Sequence, residues 1–311
     1  MPVVVVGSAN QDLTSYTSVI PKLGETVTGE SFATSSGGKG ANQARAAASL
    51  SQDVHMVCRV GDDVFGKDLL ENLESAGVQV DRETTVLSGV SSGVASIVVD
   101  TESGDNCIIV TPGANHKLTC DDVDRALRKL KPKVVVTQLE VLPEVALQAM
   151  KTAKDLNALT ILNPAPAPEA SVLEPFYPYS DIVIPNESEL ATLMGGGDEV
   201  TNARTLLTKG VGKAVIVTLG ARGAMVVPKE GEVFYVSQPE GLTDLPVLDT
   251  VGAGDAFCGS LASYLSAGLD LKEAGPLACG FASLSVRRRG ASYPSADELP
   301  ESLQLKAAKS L

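Results

Sequence analysis

The stretch KVVVTQLEVLPEVALQAMKTAKDLNALTIL, residues 133–162, decides the fold class. Its two ends are short runs of β-branched and aliphatic residues that suit buried strands, and PEVALQAMKTAKDL between them reads as a helix. Strand, helix and strand in that order form a βαβ unit, with the strands parallel and the helix packed on one face. The rhythm extends in both directions. DDVDRALRKL at 121–130 is a helix, DIVIPNESEL at 181–190 a strand entering a helix, NARTLLTKG at 202–210 a helix, and KAVIVTLGARG at 213–223 a strand and turn. Val- and Ile-rich strands alternating with helices predict an α/β fold with a doubly wound, mostly parallel sheet covered on both faces.

Nearer the N-terminus, the valines at 3–6 closed by Gly7 read as a buried first strand. GGKGANQARAAASL passes from a Gly-rich turn into an Ala-rich helix, DVHMVCRVG at 53–61 is a strand, and GKDLLENLESAG at 66–77 is a helix stopped by Gly77. Residues 11–36 and 92–110 break the alternation. Their short Thr-, Ser- and Val-rich pieces predict a small β subdomain inserted into one α/β domain that spans 1–311.

Composition narrows the function. The chain is 311 residues long, 44% hydrophobic and 20% charged, which is ordinary globular make-up, and it lacks Trp, so the core must be aliphatic. A net charge of −13 repels a phosphate backbone and disfavours a nucleic-acid partner. Any phosphate site must therefore be local, built from backbone N–H groups and a few cations. Five scattered cysteines without a C-x-x-C pair, and only two histidines, argue against a zinc site and for reduced thiols in a cytoplasmic setting. No apolar run reaches membrane-spanning length. The apolar start has no basic segment before it, unlike a secretory signal. Lys309, Ser310 and Leu311 at the end transpose the Ser-Lys-Leu peroxisomal address.

Two Gly-rich stretches carry the chemistry. In LDTVGAGDAFCGSLASYL, residues 248–265, Gly252, Ala253 and Gly254 run into Asp255. A helix starting at Gly254 would place Phe257, Leu261, Tyr264 and Leu265 on one apolar face, with Gly268 as its stop. The first N–H groups of such a helix have no internal partner, and small residues let a ligand approach them, which suits developing negative charge. Asp255 behind them can take a proton from a hydroxyl, or serve only as an acid facing the helix dipole. In SGGKGANQARAAAS, residues 36–49, three glycines strip a turn from which Lys39 and Asn42 project. The dinucleotide pattern fails because Phe257 stands where its third glycine belongs. The P-loop pattern fails because Gly40 follows Lys39.

Taken together, these stretches resemble the two signatures of the ribokinase (PfkB) family of carbohydrate kinases. GGKGAN at 37–42 with Gly61 beyond it matches the first, and DTVGAGDA at 249–256 the second. LGETVTG at 23–29, QLE at 138–140, NPAPA at 163–167, NESE at 186–189 and TLGARG at 218–223 extend the resemblance from residue 3 to about 294. It implies ATP-dependent phosphorylation of D-ribose at O5, with Asp255 as base and the N–H groups of Gly252, Ala253 and Gly254 as an anion hole. Asn10, Asp12, Gly38, Lys39, Asn42 and Glu140 would bind the sugar. Asn186 and Glu189 would serve Mg²⁺ and the phosphates, though Asn186 could merely cap its helix. Thr218, Gly220, Arg222 and Gly223 would lie under the nucleotide. Cys279 stands near the adenine, where Asn or His is frequent in the family. Asp249, Val251, Ser285, Arg288, Gly290 and Ser292 match a potassium site, in a loop two residues shorter than the family pattern. The resemblance also implies a homodimer joined through the inserted β lid. Other sugar or nucleoside acceptors, among them deoxyribose, fructose and adenosine, and a non-catalytic sugar-binding role remain open readings of the residues.

Overall fold

The computed structural model describes residues 2–51, 53–240, 242, 246–295 and 297–305. Lys309, Ser310 and Leu311 lie outside the described residues. β1 (Val3–Val6) is fully buried, as four consecutive valines require. β2 (Asn10–Thr17), β3 (Ser31–Gly37) and α1 (Lys39–Ala48) follow. Next come β4 (Val54–Val57), β5 (Val60–Gly61), α2 (Val64–Ser75), α3 (Arg82–Thr85), β6 (Val86–Leu87), β7 (Gly93–Asp100) and β8 (Asn106–Thr111). The strand expected over 53–61 is thus two strands. β5 leaves the main sheet and pairs with β6.

The regular alternation then appears as read: α4 (Cys120–Leu130), β9 (Val134–Thr137), α5 (Pro143–Asp155) and β10 (Leu159–Leu162). It continues through α6 (Ala170–Leu173), β11 (Ile182–Val183), α7 (Glu187–Met194), α8 (Glu199–Thr208) and β12 (Ala214–Thr218). β13 (Ala224–Pro228), β14 (Phe234–Val236), α9 (Ala253–Ser266) and α10 (Leu271–Ser285) complete the elements used below. The main sheet has eight strands in the order β14-β13-β12-β11-β10-β9-β1-β4. Its pairs are parallel from β12 through β4, and the two pairs at the other edge, β12 with β13 and β13 with β14, are antiparallel.

Each face of the sheet carries its own apolar core. Val3 and Val5 face Ala44, Leu70 and Leu261 of α1, α2 and α9, while Val4 and Val6 face Val123, Met150 and Leu206 of α4, α5 and α8. The two-residue period of a strand divides the four valines between the faces. α1 is rich in alanine because α9 crosses it closely: a Cβ on Gly259 would lie 2.2 Å from the Gln43 carbonyl oxygen and 2.9 Å from the Ala46 Cβ. That close crossing sets the N-termini of α1 and α9 side by side.

β1 lies between β9 and β4, so chain order reverses there. Such a switch point opens a crevice beyond the C-terminal ends of the strands. Residues after β1 and after β9 both enter it, which is why Asn10 and Glu140 meet. β2, β3, β7 and β8 form a separate four-stranded sheet in the order β3-β2-β7-β8, within the two segments that break the helical rhythm. Ile108, Ile109 and Val110 on β8 are 54%, 70% and 48% exposed, leaving an apolar strand uncovered.

Candidate active site

Glycine lets the chain entering α1 pass against the chain leaving β1. Gly38 adopts φ +90°, and a Cβ there would sit 2.8 Å from the Asn10 backbone nitrogen. A Cβ on Gly40 would sit 2.6 Å from that of Ser8. Glu140 ties the two segments together. Its Oε2 accepts from Ser8 Oγ at 2.6 Å, from the Lys39 N–H at 3.0 Å and from Asn10 Nδ2 at 3.4 Å. Asn10 is in turn oriented by Asn115, whose Nδ2 donates to Asn10 Oδ1 at 2.7 Å and to the Ala9 carbonyl at 3.1 Å. Asp12 belongs to β2, two residues beyond Asn10. Its carboxylate makes no hydrogen bond among the described residues, and burial, reinforced by the charge of Glu140 and opposed by Arg45, pushes its pKa up to about 6. An ionisable group left without partners beside a crevice suits a ligand that brings hydroxyl donors.

Asp255 lies in the first turn of α9 and is only 8% exposed. The helix begins one residue earlier than expected, at Ala253, because Gly252 caps it with φ +76°. A Cβ on Gly252 would lie 2.8 Å from that of Ala291, so the turn can only be glycine. Asn42 Nδ2 donates to Asp255 Oδ2 and Gln43 Nε2 to Oδ1, each at 3.0 Å. Burial pushes the Asp255 pKa up, and Lys39 and the two amides hold it down against that rise. Burial pulls the Lys39 ammonium down, but Asp255, Glu140 and Glu189 outweigh it and leave the pKa raised. A cation and a buried carboxylate thus converge at the start of α9, where the N–H groups of Gly252 and Gly254 make no hydrogen bond among the described residues and that of Ala253 donates to the Thr250 carbonyl at 3.2 Å.

Asn186 and Glu189 also face this point. They form a reciprocal capping box on α7: Glu189 N–H donates to Asn186 Oδ1 at 2.7 Å, and Asn186 N–H to Glu189 Oε2 at 2.8 Å. Burial pushes the Glu189 carboxyl up. A cavity of about 180 Å³ joins Lys39, Asn186, Glu189, Thr218, Gly254 and Asp255. It shares Asn186, Thr218 and Gly254 with a second cavity of about 630 Å³, whose walls include Gly220, Gly223 and Cys279. Apart from Arg222, which lines neither cavity, the expected nucleotide residues therefore meet in one connected space, within the volume range of small-molecule sites. A larger cavity of about 1150 Å³, among Lys133, Lys154 and Phe234, contains none of the expected site residues. Arg222 pairs with Glu187 at the surface. The Cys279 thiol points to the Val236 carbonyl at 3.7 Å, and burial pushes its pKa up to about 12, so it offers the cavity little hydrogen bonding.

The residues matched to a cation site meet in part. Asp249 accepts from the Val251 N–H at 3.0 Å and the Gly290 N–H at 2.8 Å, joining the turn before α9 to the loop after α10. Ser292 N–H donates to the Gly290 carbonyl at 2.8 Å, and Arg288 N–H to that of Ser285 at 3.1 Å. The Arg288 guanidinium turns away to Glu298. Arg45 braces the same loop through the Ala291 carbonyl at 2.8 Å and lies 5.5 Å from the Tyr293 ring.

Comparison with known proteins agrees with this geometry. The profile of the pfkB family carbohydrate kinase matches residues 2–298. A deoxyribokinase of Salmonella typhi is 39% identical over 98% of this chain and 99% of its own length. A ribokinase of Mus musculus is 38% identical over 97% and 94%. The structure of Arabidopsis thaliana ribokinase complexed with ribose and ATP superposes with a TM-score of 0.86 at 30% identity, covering 98% of this chain and 99% of that one. The chain belongs to the pfkB family of carbohydrate kinases. It is a sugar kinase, a phosphotransferase with an alcohol group as acceptor, and ribokinases are among its relatives in both sequence and fold.

Proposed function

We propose that the chain transfers the γ-phosphoryl group of ATP to O5 of D-ribose, giving D-ribose 5-phosphate and ADP. The observation that carries this reading is Asp255, a buried carboxylate at a glycine-capped helix start, within the cavity that also holds Lys39. O5 forms a bond to the γ-phosphorus as the bond to the β–γ bridging oxygen breaks, and the hydroxyl proton passes to Asp255. A carboxylate is a weak base, but phosphoryl transfer depends chiefly on positioning and charge stabilisation. The N–H groups of Gly252 and Gly254 provide that stabilisation as an anion hole, and that of Ala253 joins them once it leaves the Thr250 carbonyl. Asn10, Asp12, Gly38, Lys39, Asn42 and Glu140 hold the sugar. Thr218, Gly220 and Gly223 line the nucleotide side, with Cys279 near the base, while Arg222, paired with Glu187 at the surface, would have to swing in to reach the nucleotide.

Two ions fit the residues present. Glu189 Oε1 has no hydrogen bond among the described residues, so with Asn186 it could hold the magnesium that accompanies ATP and neutralises phosphate charge. Asp249 and the carbonyls of Val251, Ser285, Arg288, Gly290 and Ser292 would supply an oxygen-only set suited to potassium, which would stiffen the turn bearing the anion hole. Arg288 enters this set only through its backbone.

The small sheet acts as a lid over the sugar, and its exposed Phe32, Ile108 and Ile109 suit pairing of two subunits. Among the described residues no helix is long and apolar enough to cross a membrane, and the five free cysteines fit a reducing cytoplasm. A second acceptor, 2-deoxy-D-ribose, is favoured by the likeness to the Salmonella typhi deoxyribokinase. Coupled ATP turnover with ribose, deoxyribose, fructose and adenosine tests the assignment. Ribose should give the highest kcat/KM. A higher value for deoxyribose replaces the acceptor, and no turnover with any of them leaves a sugar-binding protein.

A further inference from the structure

Behind Asp255 runs a buried chain of amides. Asn163 Nδ2 donates to the Ile184 backbone carbonyl at 2.9 Å. Asn163 Oδ1 accepts from Gln43 Nε2 at 3.1 Å, and the same nitrogen donates to Asp255 Oδ1 at 3.0 Å. Gln43 Oε1 accepts from Gln138 Nε2 at 2.5 Å. Gln43 and Gln138 are fully buried. A backbone carbonyl can only accept, so the Asn163 amide has one workable orientation, and each amide fixes the next. A flip of Gln43 would set its carbonyl oxygen against the Asp255 carboxylate and the Asn163 oxygen.

The arrangement carries a cost. Gln138 Oε1 is buried without a partner, and room for it exists only because residue 7 is glycine, where a Cβ would lie 2.0 Å away. An unpaired buried acceptor destabilises the fold, so Gln138 is not there for stability alone. We propose that Gln43 is a positioning residue for phosphoryl transfer, holding one oxygen of Asp255 in place, with Asn163 and Gln138 fixing the direction of its amide. The proposal rests on the reading of Asp255 as base.

Gln43 donates to the ionised form of Asp255 and so favours it. The other charged or titratable groups around that carboxylate are Lys39 and Arg45 on α1, Glu140 after β9, Cys258 on α9 and Tyr293 in the loop after α10, with Glu189 acting on Lys39. None of them is altered by a neutral substitution at position 43.

The test is kcat against pH at saturating ribose and ATP for wild type, Gln43→Met, Gln138→Met and Asp255→Asn, with substrate binding checked by calorimetry. Gln43→Met should lower kcat about 10-fold or more, the worth of a hydrogen bond to a charged group, and move the acid limb up by about one pH unit. Both KM values should stay within about twofold of wild type, because uniform binding is untouched. Gln138→Met, which never touches Asp255, should act in the same direction with a smaller effect, and it carries the test alone if Gln43→Met does not fold. An unmoved acid limb in the folded variants overturns the proposal, as does a change confined to KM. Wild-type turnover in Asp255→Asn overturns the base reading instead. Loss of turnover in Asp255→Asn together with a normal kcat and acid limb in Gln43→Met overturns the positioning role alone. The double variant Gln43→Met/Asp255→Asn should be no slower than Asp255→Asn by more than about twofold, since the two act as a unit, and a full additional loss counts against the proposal.

Discussion

Replacing Asp12 by asparagine should stabilise the sugar-free protein and weaken its grip on sugar. Burial holds the Asp12 pKa near 6 against an ordinary 3.8, so at neutral pH the folded state contains an ionised carboxylate that it disfavours. That difference is worth about 3 kcal/mol. Partial exposure of the side chain and the polarity of the replacing amide reduce the expected gain to about 2 kcal/mol. The sign follows from linkage: a carboxyl with a raised folded pKa destabilises fully above about pH 6, and this penalty disappears as pH falls toward 3.8. Asp12→Asn should therefore raise the urea-unfolding free energy at pH 7.5, and by only about a third as much at pH 4.5. Ribose hydroxyls donate to the ionised form, so wild-type affinity for ribose should fall up to ~10-fold per pH unit below about 6 while affinity for ATP changes little. In the Asn variant that pH dependence should vanish, at weaker affinity. Equal stability of the two proteins at pH 7.5, or a difference as large at pH 4.5 as at pH 7.5, would refute the reasoning.

Asp255→Asn keeps shape but removes the base, so steady-state turnover should drop at least ~10²-fold while ribose and ATP still bind by calorimetry. Exchanging sodium for potassium at constant ionic strength should raise kcat several-fold, and Asp249→Ala should abolish the response; equal rates in sodium, potassium and a bulky organic cation would dispose of the site. Gly38→Ala forces a side chain into φ +90° with its Cβ 2.8 Å from the Asn10 nitrogen. It should cost about 1–3 kcal/mol in urea unfolding and raise the KM for ribose more than that for ATP. Normal stability of the Gly38→Ala variant would mean that the turn relaxes freely.

Much of this site was legible because its residues sit in unusual company. Glycines in threes beside Lys39, and Gly252, Ala253 and Gly254 before Asp255, have no use in an ordinary helix start, and Lys39 lines one cavity with Gly252, Ala253, Gly254 and Asp255. Asn186 shows the limit of such reading: it caps α7 and also forms part of the cavity wall, so a capping signature does not by itself keep a residue out of the crevice. Gln43, Gln138, Asn163 and Asn115 gained no role from the sequence although three of them fall inside quoted motifs. An amide in a strand-end loop or a helix looks the same whether it faces solvent, core or a carboxylate. The signal for Gln138 and Asn163 was their place just beyond the apolar strands β9 and β10, at the carboxyl edge where the crevice opens.

Residues 133–162 by themselves determined a parallel α/β sheet, because side-chain periodicity is a local property that short strands and helices carry in plain view. The same holds for the second, irregular β region, whose alternations differ from the rest. Strand order, the antiparallel edge of β13 and β14, and the departure of β5 from the main sheet were decided only in three dimensions, since pairing depends on which elements can cover each other's apolar faces. The close crossing of α1 and α9 is the decisive case. Alanine and glycine on those helices announce that something approaches, but not what. Only the packed structure brings Asn42 and Gln43 within 3.0 Å of Asp255, because burying that carboxylate requires donors that the distant segment supplies.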